Sequence, residues 1–78
     1  GWIEIENEPL AYLLHRLNRS TDVPVSASAE VAGLRVAGRF ELANTQQTLQ
    51  ALTEAYGLTL QQHISGIRLS RSPHPSLQ

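Results

Sequence analysis

The apolar residues of this 78-residue chain follow two alternating periods, and this alternation constrains the fold more than any other feature. From Trp2 to Glu6 and from Leu34 to Leu42, apolar and polar residues alternate as in a strand with one buried face. Each segment is followed by apolar residues at helical spacing: Leu10, Leu13, Leu14 and Leu17 after the first, Leu49, Leu52, Ala55 and Tyr56 after the second. The sequence therefore predicts an α+β fold of alternating strands and helices.

Local signals set the expected bounds of the two helices. Asn7 is predicted to be the N-cap of the first helix, with Glu8 and Pro9 in its first turn and its end near Arg19 and Ser20. For the second helix, predicted over 45–56, Asn44 and Gln47 resemble a capping box and Gly57 stands where a glycine ends a helix.

The remaining segments complete the predicted order β-α-β-β-α-β-β. A short strand is expected with Val23, Val25 and Ala27 on one side, and residues 28–33 are predicted to form a helical turn or loop. A hairpin is expected near the end, where residues 58–61 and 67–69 alternate around a turn at Ser65 and Gly66. We expect one domain over residues 2–70 and a disordered tail over 71–78.

The two halves of the chain resemble each other at an offset of 35 residues. This offset superposes Ile5 on Phe40, Leu14 on Leu49 and Val25 on Leu60. It predicts two βαβ units with equivalent elements side by side, the first strand antiparallel to the third. Outward glutamates, Glu4 and Glu6, would then face outward arginines, Arg35 and Arg39, and such pairs stabilise a sheet by about 0.2–1 kcal/mol each.

Composition excludes several classes of protein. A chain of this length holds one small core, and its 41% hydrophobic content is too high for a disordered segment. No cysteine is present, which removes disulfides, thiolate zinc sites and cysteine nucleophiles. Because the chain begins with Gly1 and lacks methionine, we expect it to be a domain of a longer protein.

The sequence contains no recognisable pattern for catalysis, metal binding or cofactor binding. The three histidines, His15, His63 and His74, lack the spacing of a metal site, and the carboxylates of Glu4, Glu6 and Glu8 suit a solvated strand and a helix start. No glycine-rich phosphate loop is present. We therefore expect a protein that is not an enzyme and holds no metal or cofactor.

Two kinds of binding remain open. The element order is shared with RNA-recognition domains of ferredoxin-like topology, and residues 35–40 (RVAGRF) resemble their central strand motif. However, Phe40 falls on the apolar side of its strand, where it offers no surface for stacking bases. Protein recognition is favoured instead, and the candidate partner-binding residues are Trp2, Arg16, Arg19, Arg35 and Arg39.

Residues 31–42 (VAGLRVAGRFEL), followed by Asn44 and Thr45, resemble the periplasmic C-terminal domain of FecR-type transmembrane sigma regulators. Trp2, the pair Pro9–Leu10 and residues 17–19 (LNR) support this resemblance, which spans most of residues 2–69. The chain departs from the family at Ser20, where tyrosine is frequent, and in its proline-rich tail.

The resemblance implies a fold similar to the secretin/TonB short N-terminal domain, in which two helices are sandwiched between two small sheets. It implies that this domain lies in the periplasm of a Gram-negative bacterium and belongs to an inner-membrane anti-sigma factor. Its implied partner is the N-terminal signalling domain of a TonB-dependent siderophore transporter. Recognition there would control an extracytoplasmic-function sigma factor.

Two alternatives share that fold: the signalling domain of the transporter itself, and the N0 domain of a secretin. The full-length sequence would distinguish these proteins from a sigma regulator, because each has a different chain around this domain. An RNA-binding domain is the alternative from another class.

Overall fold

A computed structural model describes residues 1–19 and 21–71 of the chain. The elements in chain order are β1 (Trp2–Pro9), α1 (Leu10–Leu17), β2 (Val25–Ala27), α2 (Ala29–Ala32), β3 (Arg35–Glu41), α3 (Thr45–Tyr56), β4 (Leu58–His63) and β5 (Gly66–Arg71). The short helix α2 lies where a helical turn or loop was predicted. Of the predicted tail, Arg71 is the last residue of β5, and residues 72–78 lie outside the described part.

The strands form two small sheets, and the predicted α+β class is confirmed. β1 pairs with β3 antiparallel in one sheet, and the other has the order β2-β5-β4. Within the second sheet, β2 is parallel to β5 and β4 is antiparallel to it. Each long helix contacts both sheets, because α1 packs against β1 and β2 while α3 packs against β3 and β4. The helices therefore lie between the sheets.

The core is built from the periodic residues of both helices and the inner faces of both sheets. The four leucines of α1 predicted on periodicity are all buried, as are Leu49 and Leu52 of α3. Burial of each such side chain contributes about 1.5–3 kcal/mol. The strands add Ile5, Val25, Val36, Phe40, Leu58 and Leu69. Ala55, predicted on the apolar face of the second helix, is exposed, and Val23, predicted in the second strand, is exposed and precedes β2.

The start of α1 differs from the prediction. β1 continues to Pro9, so Pro9 is the N-cap residue, and Asn7 lies in a bulge of the strand with φ at 62°. Pairing with β3 overrides the local capping signal: the Leu10 N–H donates to the Leu34 carbonyl at 2.7 Å. Asparagine tolerates the left-handed conformation that this bulge requires. The helix also ends at Leu17, earlier than predicted.

The predicted bounds of α3 are confirmed. The Gln47 N–H donates to Asn44 Oδ1 at 3.2 Å, and the Asn44 amide donates to Gln47 Oε1 at 2.9 Å. Gly57 ends the helix with φ at 66°, a conformation in which glycine is favoured. The following hairpin is also confirmed, although its two-residue turn is Ile64–Ser65, one position earlier than expected.

The 35-residue repeat describes one sheet and fails for the other. β1 and β3, the first strands of the two units, are neighbours in the predicted antiparallel orientation, with Glu4 opposite Arg39. β2 and β4, the equivalent later strands, are separated by β5. β5 follows the second unit in the chain and has no counterpart in the first, so its insertion removes the expected pairing.

Candidate partner-binding surface

The outer face of the two-stranded sheet holds the most prominent side-chain arrangement. Ile3 and Phe40 face the core from paired positions, so the neighbouring positions Trp2, Glu4, Arg39 and Glu41 project outward. Trp2 is 59% exposed, an unusual fraction for so large an apolar side chain. This outer face therefore places a large exposed aromatic side chain next to the positive charge of Arg39.

Arg39 pairs with the Trp2 ring across the strands. The guanidinium carbon lies 5.4 Å from the ring centroid, within the range of a cation–π interaction worth about 0.5–1 kcal/mol at an exposed site. Glu4 stands directly opposite Arg39 in the register, yet the described residues show no ion pair between them. The predicted placement of a glutamate opposite an arginine is therefore confirmed at this position, but the guanidinium lies over the Trp2 ring and forms no ion pair with Glu4.

A groove of about 500 Å³ runs beside this pair toward the start of α3. Phe40 and Ala51 supply apolar surface, while amide and hydroxyl groups of α3 supply hydrogen-bonding groups. Its lining residues are Trp2, Arg39, Phe40, Glu41, Ala43, Asn44, Gln47, Thr48 and Ala51. Aromatic and arginine side chains at such a rim are typical of protein interfaces.

The five predicted partner-binding residues lie on three parts of the fold: the β1–β3 sheet, α1 and the segment after α1. Trp2 and Arg39 come together, whereas Arg35 lies four residues along β3, about 13 Å away at the rise of a strand. Arg35 donates from Nη1 to the Asn7 carbonyl at 3.1 Å across the bulge. On α1, Arg16 donates to the Tyr12 hydroxyl at 3.1 Å, and Arg19 follows the end of the helix.

The backbone edges of the sheets are a second candidate for recognition, and α3 covers one of them. The Leu42 N–H donates to the Gly1 carbonyl. Because the backbone groups of successive residues point to opposite edges of a strand, those of Ala37, Arg39 and Glu41 point away from β1. The Tyr56 hydroxyl accepts from the Ala37 N–H at 3.0 Å and donates to the Ala37 carbonyl at 3.3 Å. Thr48 Oγ1 donates to the Glu41 carbonyl at 2.8 Å. The outer edge of β3 is thus occupied on both sides of Arg39.

A side chain closes the outer edge of β2. Asn18 Oδ1 accepts from the Val25 N–H at 2.7 Å, and its Nδ2 donates to the Val25 carbonyl at 2.8 Å. The amide thereby makes the two hydrogen bonds that a neighbouring strand would make. Sequence reasoning missed this role and that of Tyr56, although an asparagine directly after a leucine stripe was a signal for the first.

The described part of the chain lacks the side-chain arrangements expected for a metal site, for base stacking on β3 and for a membrane-spanning helix. No group of three or more histidine and carboxylate side chains there is arranged to hold a metal ion. Phe40 faces the core as predicted, so β3 presents no aromatic platform for stacking bases. None of the helices in the described segments has the length and apolar character needed to cross a membrane.

Comparison with known proteins gives a structural match and no sequence match. No protein-family model matches the chain, and no curated protein matches it. Two crystal structures, at 2.50 Å and 1.65 Å resolution, each of a protein from Parabacteroides distasonis ATCC 8503 assigned as an anti-sigma factor, are similar to this one. Each superposes with a TM-score of 0.78 over 94% of this chain at 18% identity. The chain spans 35% of that protein's length, and the likeness shows that both share this fold.

Proposed function

We propose that this chain is the periplasmic receiver domain of an anti-sigma factor of the FecR type, similar to the secretin/TonB short N-terminal domain. The observation that supports this most is the shared fold, which extends over 94% of the chain in a protein assigned as an anti-sigma factor. The residue pattern at 31–42 adds the resemblance to FecR-type regulators. A recognition role also fits a small fold whose most prominent surface is a tryptophan–arginine pair.

The proposed partner is the N-terminal signalling domain of a TonB-dependent siderophore transporter. This chain would receive the signal, and the extracytoplasmic-function sigma factor would respond through the rest of the regulator. The proposed contact is the outer face of the two-stranded sheet, where Trp2 and Arg39 border the 500 Å³ groove. Among the five candidate residues, this pair is expected to contribute most, because hot spots are enriched in tryptophan and arginine.

The test is a titration of isotopically labelled domain with the signalling domain of its cognate TonB-dependent transporter. We expect amide shifts at Trp2, Arg39 and the start of α3. An Arg39→Glu variant should weaken binding at least tenfold, while Arg68→Glu serves as control because Arg68 is exposed on the other sheet. Unchanged amide shifts throughout, at saturating partner, would refute the proposal. Equal losses in both variants would instead indicate a nonspecific charge effect and refute the proposed contact.

A further inference from the structure

The four strand edges of the two sheets are not protected equally. Those of β3 and β2 are occupied by Tyr56, Thr48 and Asn18, as described above. β1 is guarded differently: Glu4 places a charge on its edge, the bulge at Asn7 interrupts its ladder, and Pro9 has no N–H to offer. Charges, bulges and prolines are the usual means by which an edge strand avoids a new partner.

β4 has none of these devices. The Ile67 N–H donates to the Pro24 carbonyl, so the backbone groups of Ile67 point toward β2. Because backbone groups alternate in direction along a strand, the hydrogen-bonded pairs between β5 and β4 are Arg68 with Gln61 and Ser70 with Thr59. The peptide groups of Leu60 and Gln62 consequently point away from the sheet. Within the described residues, no hydrogen bond reaches them. β4 contains no Asp, Glu, Lys, Arg or proline, and the adjoining Ile64 is fully exposed at the hairpin tip.

The core-facing side of this edge also has unfilled space. A groove of about 270 Å³ lies between β4, the start of α3 and the segment before β2. Leu49, Leu60 and Ile67 give it apolar surface, and the exposed Val23 lies at its margin. Side chains alternate across a strand, so a strand added to β4 would direct every second side chain toward this groove.

We propose that β4 pairs antiparallel with β4 of a second copy of this chain, joining two three-stranded sheets into one of six strands. An antiparallel pair about a twofold axis is self-complementary, because each strand offers the other the same donors and acceptors. In this pairing Leu60 lies opposite Leu60 of the second copy, with both side chains on the same side of the joined sheet. Gln62 of each copy lies opposite Leu58 of the other. No charge is brought near a like charge. The same arrangement at β1 would bring Glu4 close to its own counterpart.

Sedimentation velocity over increasing protein concentration tests the pairing directly. We expect a reversible monomer–dimer equilibrium in the intact chain. Gln62→Pro should abolish the dimer, because it removes an outward N–H and leaves the β4–β5 ladder intact. Gln62→Lys should weaken the dimer at least tenfold, whereas Gln61→Lys, which places the same charge on the outer face, should leave it unchanged. Circular dichroism would verify that each variant is folded.

Crosslinking tests the register, since the chain contains no natural cysteine. Leu60→Cys should form a covalent dimer on oxidation, because residues opposite each other in a hydrogen-bonded antiparallel pair have Cα atoms about 5.5 Å apart. A chain that stays monomeric up to about 1 mM overturns the proposal. It is equally overturned if the Leu60 and Gln62 amides become protected only after a different protein is added, because the edge would then accept a foreign strand.

Discussion

The two sheets of this domain have similar strands but differ in what closes their edges. In the two-stranded sheet, a helix from elsewhere in the chain covers β3, and charge, a bulge and proline guard β1. In the three-stranded sheet, one side chain closes β2 and nothing in the described residues closes β4. Among the described residues, the first sheet therefore favours recognition by side chains, and the second sheet offers backbone groups at the edge of β4.

The largest expected effect on stability comes from replacing one glycine in each sheet with alanine. Gly66 and Gly38 have nearly equal φ values of 145° and 141°, so substitution by alanine strains the backbone similarly. A Cβ at Gly66 would lie 2.5 Å from the Pro24 carbonyl oxygen, whereas at Gly38 it would meet the Phe40 ring at 3.3 Å. Gly66→Ala should therefore cost about 3 kcal/mol or more and Gly38→Ala about 1–3 kcal/mol in urea unfolding. Equal losses would show that strain alone decides the outcome.

Removing the Asn18 amide tests closure of the β2 edge. Asn18→Ala leaves the Val25 N–H and carbonyl without partners, and we expect a loss of about 1–2 kcal/mol in the free energy of unfolding. Asn18→Asp keeps the acceptor and loses the donor, so it should fall between alanine and the native residue. A stability unchanged in Asn18→Ala would mean that water replaces both bonds at no cost.

A single hydroxyl tests closure of the β3 edge. Tyr56→Phe removes the group that bonds both polar atoms of Ala37 and retains the ring, with an expected loss of about 0.5–1.5 kcal/mol. Hydrogen exchange of the Ala37 amide should become faster, while the Leu42 amide, bonded to the Gly1 carbonyl, serves as an internal reference. Unaltered exchange at Ala37 would contradict this closure.

The smallest expected effect concerns the cation–π pair. Arg39→Met keeps a long apolar stem but removes the charge above Trp2, so stability should fall by no more than about 1 kcal/mol. Since Trp2 is the single tryptophan of the chain, its fluorescence reports the change directly. A larger loss would assign Arg39 a structural role beyond this contact.

The features that could be predicted from sequence are those decided within a few residues. The leucine stripe of α1 and the Asn44 N-cap of α3 depend on spacings of three and four residues, and both are confirmed. The wrong prediction at Asn7 has a nonlocal cause, because the decisive partner of this segment is β3, reached through Leu34.

The candidate site was less predictable for the same reason. Trp2 and Arg39 are distant in the chain, and only the register of β1 with β3 places them together. Arg35 shares a strand with Arg39, yet the bulge supplies it with a backbone acceptor and keeps it apart. Periodicity showed that Arg35 and Arg39 face outward, but it could not show which ring or carbonyl each would meet.

The central position of β5 has a consequence for how the domain folds. β5 is the last described strand, yet it holds both β2, which is parallel to it, and β4. Pairing Val25 with Ile67 closes a loop of about 40 residues, which is slow and entropically costly. The β4–β5 hairpin, by contrast, closes a turn of two residues. During synthesis the first two thirds of the chain can therefore build a helix and the β1–β3 pair, but β2 has no sheet to join. The domain therefore completes its second sheet only after β5, its last described strand, has been synthesised.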